Sequence, residues 1–479
     1  MSSIADQCAL LQQIVTVEAN QLARETGCIK RQRKFTGTAL FVGLVFSWLT
    51  TPDSTLATIV QNLGWVALQV SIPGLFYRFT EELALFLERM LHRLVTAPWQ
   101  EGIAVEGALL RRFNGVFVED SSTVPLPDAF QKRWRGCGGS RGTSGSALKV
   151  FVRWNLTTGE MQGPLLSHGR TTDTRSPLSL EQLPAGCLYV ADLGFYSLKR
   201  LLALHGRSKR ERRFFLTRHQ PGVGLWTRSG HRLSLRALVP KQVGQRVEIS
   251  ARLGRQGGIW VRVLMERVPK AVGDERRERI KEAAADHGRE AGEEVLRLAD
   301  WTIVLTNASR DRLRFEEVLV LMRARWQIER LFRLWKEYGQ IDEWRSKQPW
   351  RILCEIYAKL SAMVIQQWLT TQGCWDDPHR SLIKAAQVVR REANRLAVAI
   401  RRGNLAEEVL DVLGNMHSGC QHNRRRARPS TAQLLEDPSL LRWPDRPAEQ
   451  ITPVKKRTYL GKRWPAGKGW NATRIREYS

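Results

Sequence analysis

The 479 residues include 75 Lys and Arg against 47 Asp and Glu, a net charge of +28. Such an excess repels itself in a compact state and is best offset by a polyanion, so nucleic acid is the leading partner, with an anionic membrane surface as its competitor. The hydrophobic share of 43% and charged share of 25% are those of a soluble globular protein of two to four domains. Seven scattered cysteines without a CxxC pair exclude a disulfide framework and suggest reduced thiols in a cytosolic protein.

Residues 1–105 read as helical. The longest apolar run, "TALFVGLVFSWLTT" (38–51), falls well short of the roughly 20 residues that span a bilayer, so it predicts a buried helix and no membrane partner. In "PDSTLATIVQNLGW", Asp53 or Ser54 is the expected N-cap of the next helix. "VSIPGLFYRFTEELALFLERMLHRLV" (70–95) follows, with Tyr77, Arg78 and Thr80 on its polar side. A helix-turn-helix and a plain helical bundle fit this stretch equally.

From residue 110 the period changes. "GVFVED" (115–120) is a short strand closed by Asp120, and a Gly/Ser-rich loop, "GCGGSRGTSGS" (136–146), departs from the phosphate-loop pattern. "ALKVFVRWNL" and "MQGPLLSH" read as a hairpin turned by "TTGE". "SLEQLPAG" predicts a helical segment, "CLYVADLGF" (187–195) a buried strand closed by Asp192, and "YSLKRLLALHG" a helix. Strands follow at "RRFFLTR", "VEISARL" and "IWVRVLMERV", then a charged helical connector, then the strand "WTIVLTN" (301–307). It leads into "LMRARWQIERLFRLWK" (321–336), where Met322, Arg325, Glu329, Arg333 and Lys336 form one helical stripe beside Leu321, Ile328, Phe332 and Trp335. A surface helix with a Glu329–Arg333 ion pair explains this stripe, and so does a charged wall of a cleft. Long helices and a tail with "HNRRRARP" (422–429) complete the chain. His417, Cys420 and His422 lack the second ligand pair that a metal site needs.

Three acids share one kind of placement: Asp120 and Asp192 at strand ends, and Glu329 on the helix after the last strand. If those strands are neighbours, three carboxylates meet at one rim, where a cation would resolve their repulsion. Hard oxygen ligands suit Mg²⁺ or Mn²⁺, and two such ions support phosphodiester cleavage. Arg325 and Lys336 would then meet DNA phosphates. Taken singly, Asp120 or Asp192 reads as a turn or capping acid.

"RWQIERLFRLWK" resembles the C-terminal signature of bacterial insertion-sequence transposases of family four, a DDE group marked by Y-x2-R-x3-E-x6-K. Arg325, Glu329 and Lys336 fall on its arginine, glutamate and lysine, and Met322 stands where tyrosine is expected. "VEDSST" carries the first aspartate as Asp120 and "YVADLGFY" the second as Asp192.

The resemblance implies an α/β fold with a ribonuclease H-like core at 106–204 and 299–345. A β-rich insertion would occupy 205–298, with a helical DNA-binding region at 1–105. A helical region with a basic tail for dimerisation or DNA contact would occupy 346–479. It further implies cut-and-paste transposition with two Mg²⁺ or Mn²⁺ ions, and double-stranded DNA partners (terminal inverted repeats and target). A homodimer would pair the two ends, in the bacterial cytoplasm at the nucleoid. Members that form hairpins flip a base onto a tryptophan, and Trp301, 21 residues before Met322, has that spacing. A core tryptophan opening a strand fits Trp301 equally. Arg333 joins Arg325 and Lys336 as an expected DNA contact. Two rivals are a catalytically silent DNA-binding derivative of such an element and a host nuclease of the same fold.

Overall fold

In the computed structural model, residues 3–441 are described except 32, 104, 106, 138–144, 207, 209, 256–257, 287 and 422–428. The tail beyond 441, most of the Gly/Ser-rich loop, His422 and the arginine run of 422–428 lie outside the described residues. Nine strands form one sheet: β1 Val116–Leu126, β2 Ser146–Asn155, β3 Met161–His168, β4 Leu188–Ala191, β5 Phe214–Arg218, β6 Leu225–Trp226, β7 Arg246–Leu253, β8 Ile259–Arg267 and β9 Trp301–Thr306. Their order is β3-β2-β1-β4-β5-β9-β8-β7-β6. The hairpin of β2 and β3 continues antiparallel into β1, while β1, β4 and β5 run parallel. The strands beyond β5 are antiparallel to one another.

The two-residue alternation of a strand divides the sheet between two cores. Val116 and Val118 join the larger core with the helices, and Phe117 joins the smaller core on the opposite face. The helices of the N- and C-terminal thirds wrap Pro349–Cys374, which is buried along almost its whole length. Gln7 near the N-terminus accepts a 2.7 Å hydrogen bond from the Trp368 indole on that helix, so the first helix packs into the same core.

The apolar run 38–51 is the buried helix Gly37–Thr50, and among the described residues no helix is long and apolar enough to cross a membrane. All seven cysteines are free thiols. Within the fold, the sequence reading departs from the structure at several points. Thr55, rather than Asp53 or Ser54, caps Leu56–Asn62. "SLEQLPAG" forms turns instead of a helix, since Ser179 binds the Glu181 amide and Pro184 interrupts. β6 is too short to show a period. Finally, β5 falls inside the expected insertion but pairs directly with β4, so the sheet is continuous there.

Candidate active site

β1 does not stop at Asp120. Its pairing with β2 runs on to Leu126, while its pairing with β4 ends at Glu119↔Ala191. Asp120 therefore stands where the neighbouring strand has just ended, and Asp192 is the first residue past that end. The β4–β5 register, Ala191↔Thr217, puts Arg218 beside Asp192, and Arg218 in turn pairs with Val304 of β9. Asp120, Asp192 and Arg218 thus occupy one row across three adjacent strands.

The helical stretch is broken once. Phe315–Ala324 ends, Arg325 forms a turn, and Trp326–Arg333 continues into a π-helical turn, Leu334–Tyr338. Ile328, Leu331, Phe332 and Trp335 are buried, which leaves Glu329 at the border of the core. Arg325 is buried, and its Nη2 lies 2.8 Å from Glu329 Oε1 and 4.0 Å from Asp192 Oδ2. The two carboxylates are therefore no farther apart than those two distances laid end to end. Arg325 Nε is buried without a hydrogen-bond partner.

Among the described residues, Asp120 has only the Ser121 amide as a close partner, donating to its Oδ1 at 2.8 Å. Burial pushes its carboxyl up to about 7; Glu329 and Asp192 push the same way, while Ser121 and Arg325 oppose. Burial also raises Glu329, against the attraction of Arg325. The Arg218 guanidinium is held below its ordinary value by the surrounding protein, with Asp192 and Glu329 opposing. Charge thus links Asp120, Asp192, Glu329 and Arg325, and Arg218 is coupled to the last three.

The donor chemistry fits a hard divalent cation: carboxylate oxygens, one of them short of positive charge. Among the described residues, no three acidic, histidine or cysteine groups are gathered tightly enough to enclose an ion. Arg325 stands between Asp192 and Glu329 instead.

The remaining signature residues lie around this centre. Lys336 Nζ donates to Thr123 O at 3.2 Å, three residues beyond Asp120 on β1, and lies 3.4 Å from Asp342. Arg333 is exposed and pairs with Glu337 at 2.8 Å, so Glu329 pairs backward along the helix and not with Arg333. Met322 is buried in the core. Trp301 opens β9; its indole donates to Pro240 O at 2.8 Å, and the Arg267 guanidinium sits 5.8 Å from its ring centre.

The sequence profile of the transposase DDE domain matches residues 111–365, more than half of the chain. The chain belongs to the DDE transposase family. This family member is 27% identical over 376 residues to the transposase for insertion sequence element IS231F of Bacillus thuringiensis subsp. israelensis, covering 74% of this chain and 78% of that protein. With the transposase for IS231B of Bacillus thuringiensis subsp. berliner it shares 24% over 367 residues, covering 72% and 75%. Among solved structures, a cryo-EM structure of a piggyBac transposase synaptic complex with hairpin DNA aligns at a TM-score of 0.44 and 10% identity, covering 90% of this chain and 88% of that one.

Two residues beside this candidate site escaped the sequence reading. Arg218 closes β5 as Asp192 follows β4, and the strand-end rule would find it once β5 is known to neighbour β4. Asp173 gave no signal, opening a single 3-10 turn, Asp173–Arg175, between β3 and β4. It accepts from the Ser121 hydroxyl at 2.7 Å and pairs with Lys149 at 2.6 Å. A methyl group on Gly194 would stand 2.6 Å from Asp173 Oδ2, so this loop fits closely against the turn after Asp192.

Proposed function

We propose that the chain is a DNA transposase of an insertion sequence, which cuts DNA at transposon ends and joins it to a target by cut-and-paste. The observation that supports this reading is Arg325 bridging Glu329 and Asp192, with Asp120 in the same row of strands as Asp192. The antiparallel β1–β3 unit running into parallel β4 and β5, with acids at the β1–β4 boundary, supports a ribonuclease H-like core.

Asp120, Asp192 and Glu329 are the residues that would hold two Mg²⁺ or Mn²⁺ ions. When bound, such ions lower the pKa of an attacking water and neutralise charge on the phosphate. The chain's own residues supply the rest. Arg325 and Arg218 place positive charge beside the carboxylates, where phosphate oxygens would arrive, and Arg325 offers a bidentate fork. Lys336, tied to β1 through Thr123 O, gives a point charge next to the same strand. Arg333 is exposed for a phosphate, although Glu337 occupies it. Trp301 is half-buried, packed against the smaller core and held by Pro240 and Arg267, which supports packing; stacking on an extruded base would require this indole to leave those contacts. Terminal inverted repeats are the proposed recognition sites, with a homodimer pairing them in the cytoplasm.

The test is cleavage of a synthetic inverted-repeat end with and without Mg²⁺, with Glu329→Gln as control. We expect the wild type to nick only with metal, and the variant to bind the end normally yet cut at least 100-fold more slowly. Cleavage by Glu329→Gln at the wild-type rate would remove Glu329 from the chemistry.

A further inference from the structure

Far from the carboxylates, the sheet carries a row of alternating cations and indoles. The β6–β7 register pairs Trp226 with Arg252, and the β7–β8 register pairs Arg252 with Trp260. An isolated bridge places Arg232 on the other side of Trp226. Directly opposed residues share a sheet face, so Arg232, Trp226, Arg252 and Trp260 form one band across the sheet edge. Two further arginines stack on it: the Arg255 guanidinium lies 5.7 Å from the Trp226 ring centre, and Arg228 lies 5.7 Å from that of Trp260.

The band is open and uncompensated. Trp260 is 44% exposed, and Arg228, Arg232 and Arg255 are exposed. The sole acid between residues 219 and 258 is Glu248, which is committed to Arg262 at 2.9 Å. Arg252 Nε is buried and, among the described residues, has no hydrogen-bond partner. Among the described residues, none of these four arginines forms an ion pair. A hydrophobic partner would leave four charges unpaired, and an acidic one would leave the indoles unused.

The band belongs to the same sheet face as Asp120. Along β7 and β8, Ala251, Leu253, Val261 and Val263 point into the smaller core, whereas Leu264 joins the larger core that also holds Val118. It lies toward the opposite strand ends, beyond the Arg262↔Thr306 pair. Strand rise and spacing put it roughly 20 Å from Asp192, about six base pairs of duplex.

We infer that this arginine–tryptophan band is a second DNA-binding surface, which grips the phosphate backbone of a duplex away from its reacting end. The arginines neutralise phosphates, and the indoles hold the guanidinium planes flat toward the groove edge. Contacts of this kind are independent of base sequence. The inference rests on DNA being the substrate, but not on the carboxylate chemistry.

The test measures binding of a 40-base-pair duplex of arbitrary sequence over a range of salt, without divalent metal, so that a failure of the cleavage chemistry leaves the readout untouched. The variants are the triple R228Q/R232Q/R255Q and the charge-conserving triple R228K/R232K/R255K. Loss of three phosphate contacts should flatten the log K against log salt slope by about 2.7 and weaken binding more than tenfold at 0.1 M salt. The lysine triple should keep most of that slope. An unchanged slope in the glutamine triple would overturn the inference. So would equal loss in both triples, which would mean that the stacking serves only to hold the hairpin together.

Discussion

Asp120→Asn should make the metal-free protein more stable while ending its chemistry. The carboxyl is half-buried, with no cation within ion-pair distance among the described residues, and its folded value is raised from 3.8 to about 7. Below about pH 4 it is protonated in both the folded and unfolded states and has no effect. As pH rises the unfolded chain releases its proton first, so this group removes stability progressively between about pH 4 and 7, and the loss is complete above that. At 1.36 kcal/mol per unit the full difference is roughly 4 kcal/mol, and water reaching the cleft lowers it to about 2. Asparagine keeps the shape and lacks the charge. Thermal melts in EDTA should show the variant and wild type alike at pH 4, with the variant several degrees higher at pH 8. Adding Mg²⁺ at pH 8 should raise the wild type and leave the variant unmoved. A variant that melts at or below the wild type at pH 8 would refute the claim that Asp120 is a strained, uncompensated charge.

Lys336→Ala should flatten the salt dependence of end binding by about one phosphate contact, a slope change near 0.9, read from filter or anisotropy titrations; an unchanged slope would confine Lys336 to its bonds with Thr123 and Asp342. Trp301→Ala removes an indole that anchors Pro240 and should cost about 2–4 kcal/mol in urea melts. If the protein nevertheless nicks the first strand normally and fails only at a later hairpin step, base stacking is its main role.

Much of the site was legible because it depends on residue identity. Asp192 directly follows the buried run that forms β4, Asp120 follows the apolar run that opens β1, and the apolar period around 321–336 places Glu329 on a helix. What could not be read was pairing across the chain. Glu329 has an arginine four residues on either side, and local helix rules favour Arg333. Arg325 wins because the break in the helix turns it inward, where Asp192 adds a second carboxylate to the same guanidinium. Arg333, on the outer side, pairs with Glu337. Asp120 was read as a strand end, yet β1 continues because β2 supplies partners for six more residues, from Ser121 to Leu126. Strand order decided the visibility of Arg218, and the alternating band on β6–β8 needed a two-residue strand that no period could announce.

Two neighbours on β1 make the strongest case for function. Glu119 points into the smaller core and is fully buried, yet it is completely partnered. Arg153 donates to its Oε2 through both Nε (2.9 Å) and Nη2 (2.7 Å), Tyr189 donates at 3.1 Å, and Arg200 approaches its Oε1 at 3.4 Å. Asp120, one residue on and facing the other way, has one amide. The fold thus neutralises one buried carboxylate fully and leaves the adjacent one in deficit, as expected where a charge is reserved for a ligand. Two amide substitutions one position apart should then carry opposite signs at pH 8. Glu119→Gln leaves Arg153 buried without its counter-charge and should cost about 3–5 kcal/mol, whereas Asp120→Asn should stabilise. Paired denaturation curves at pH 8 in EDTA measure both. If the two shifts share a sign, the asymmetry between the faces of β1 is not electrostatic, and the case for Asp120 as a ligand in waiting loses its physical basis.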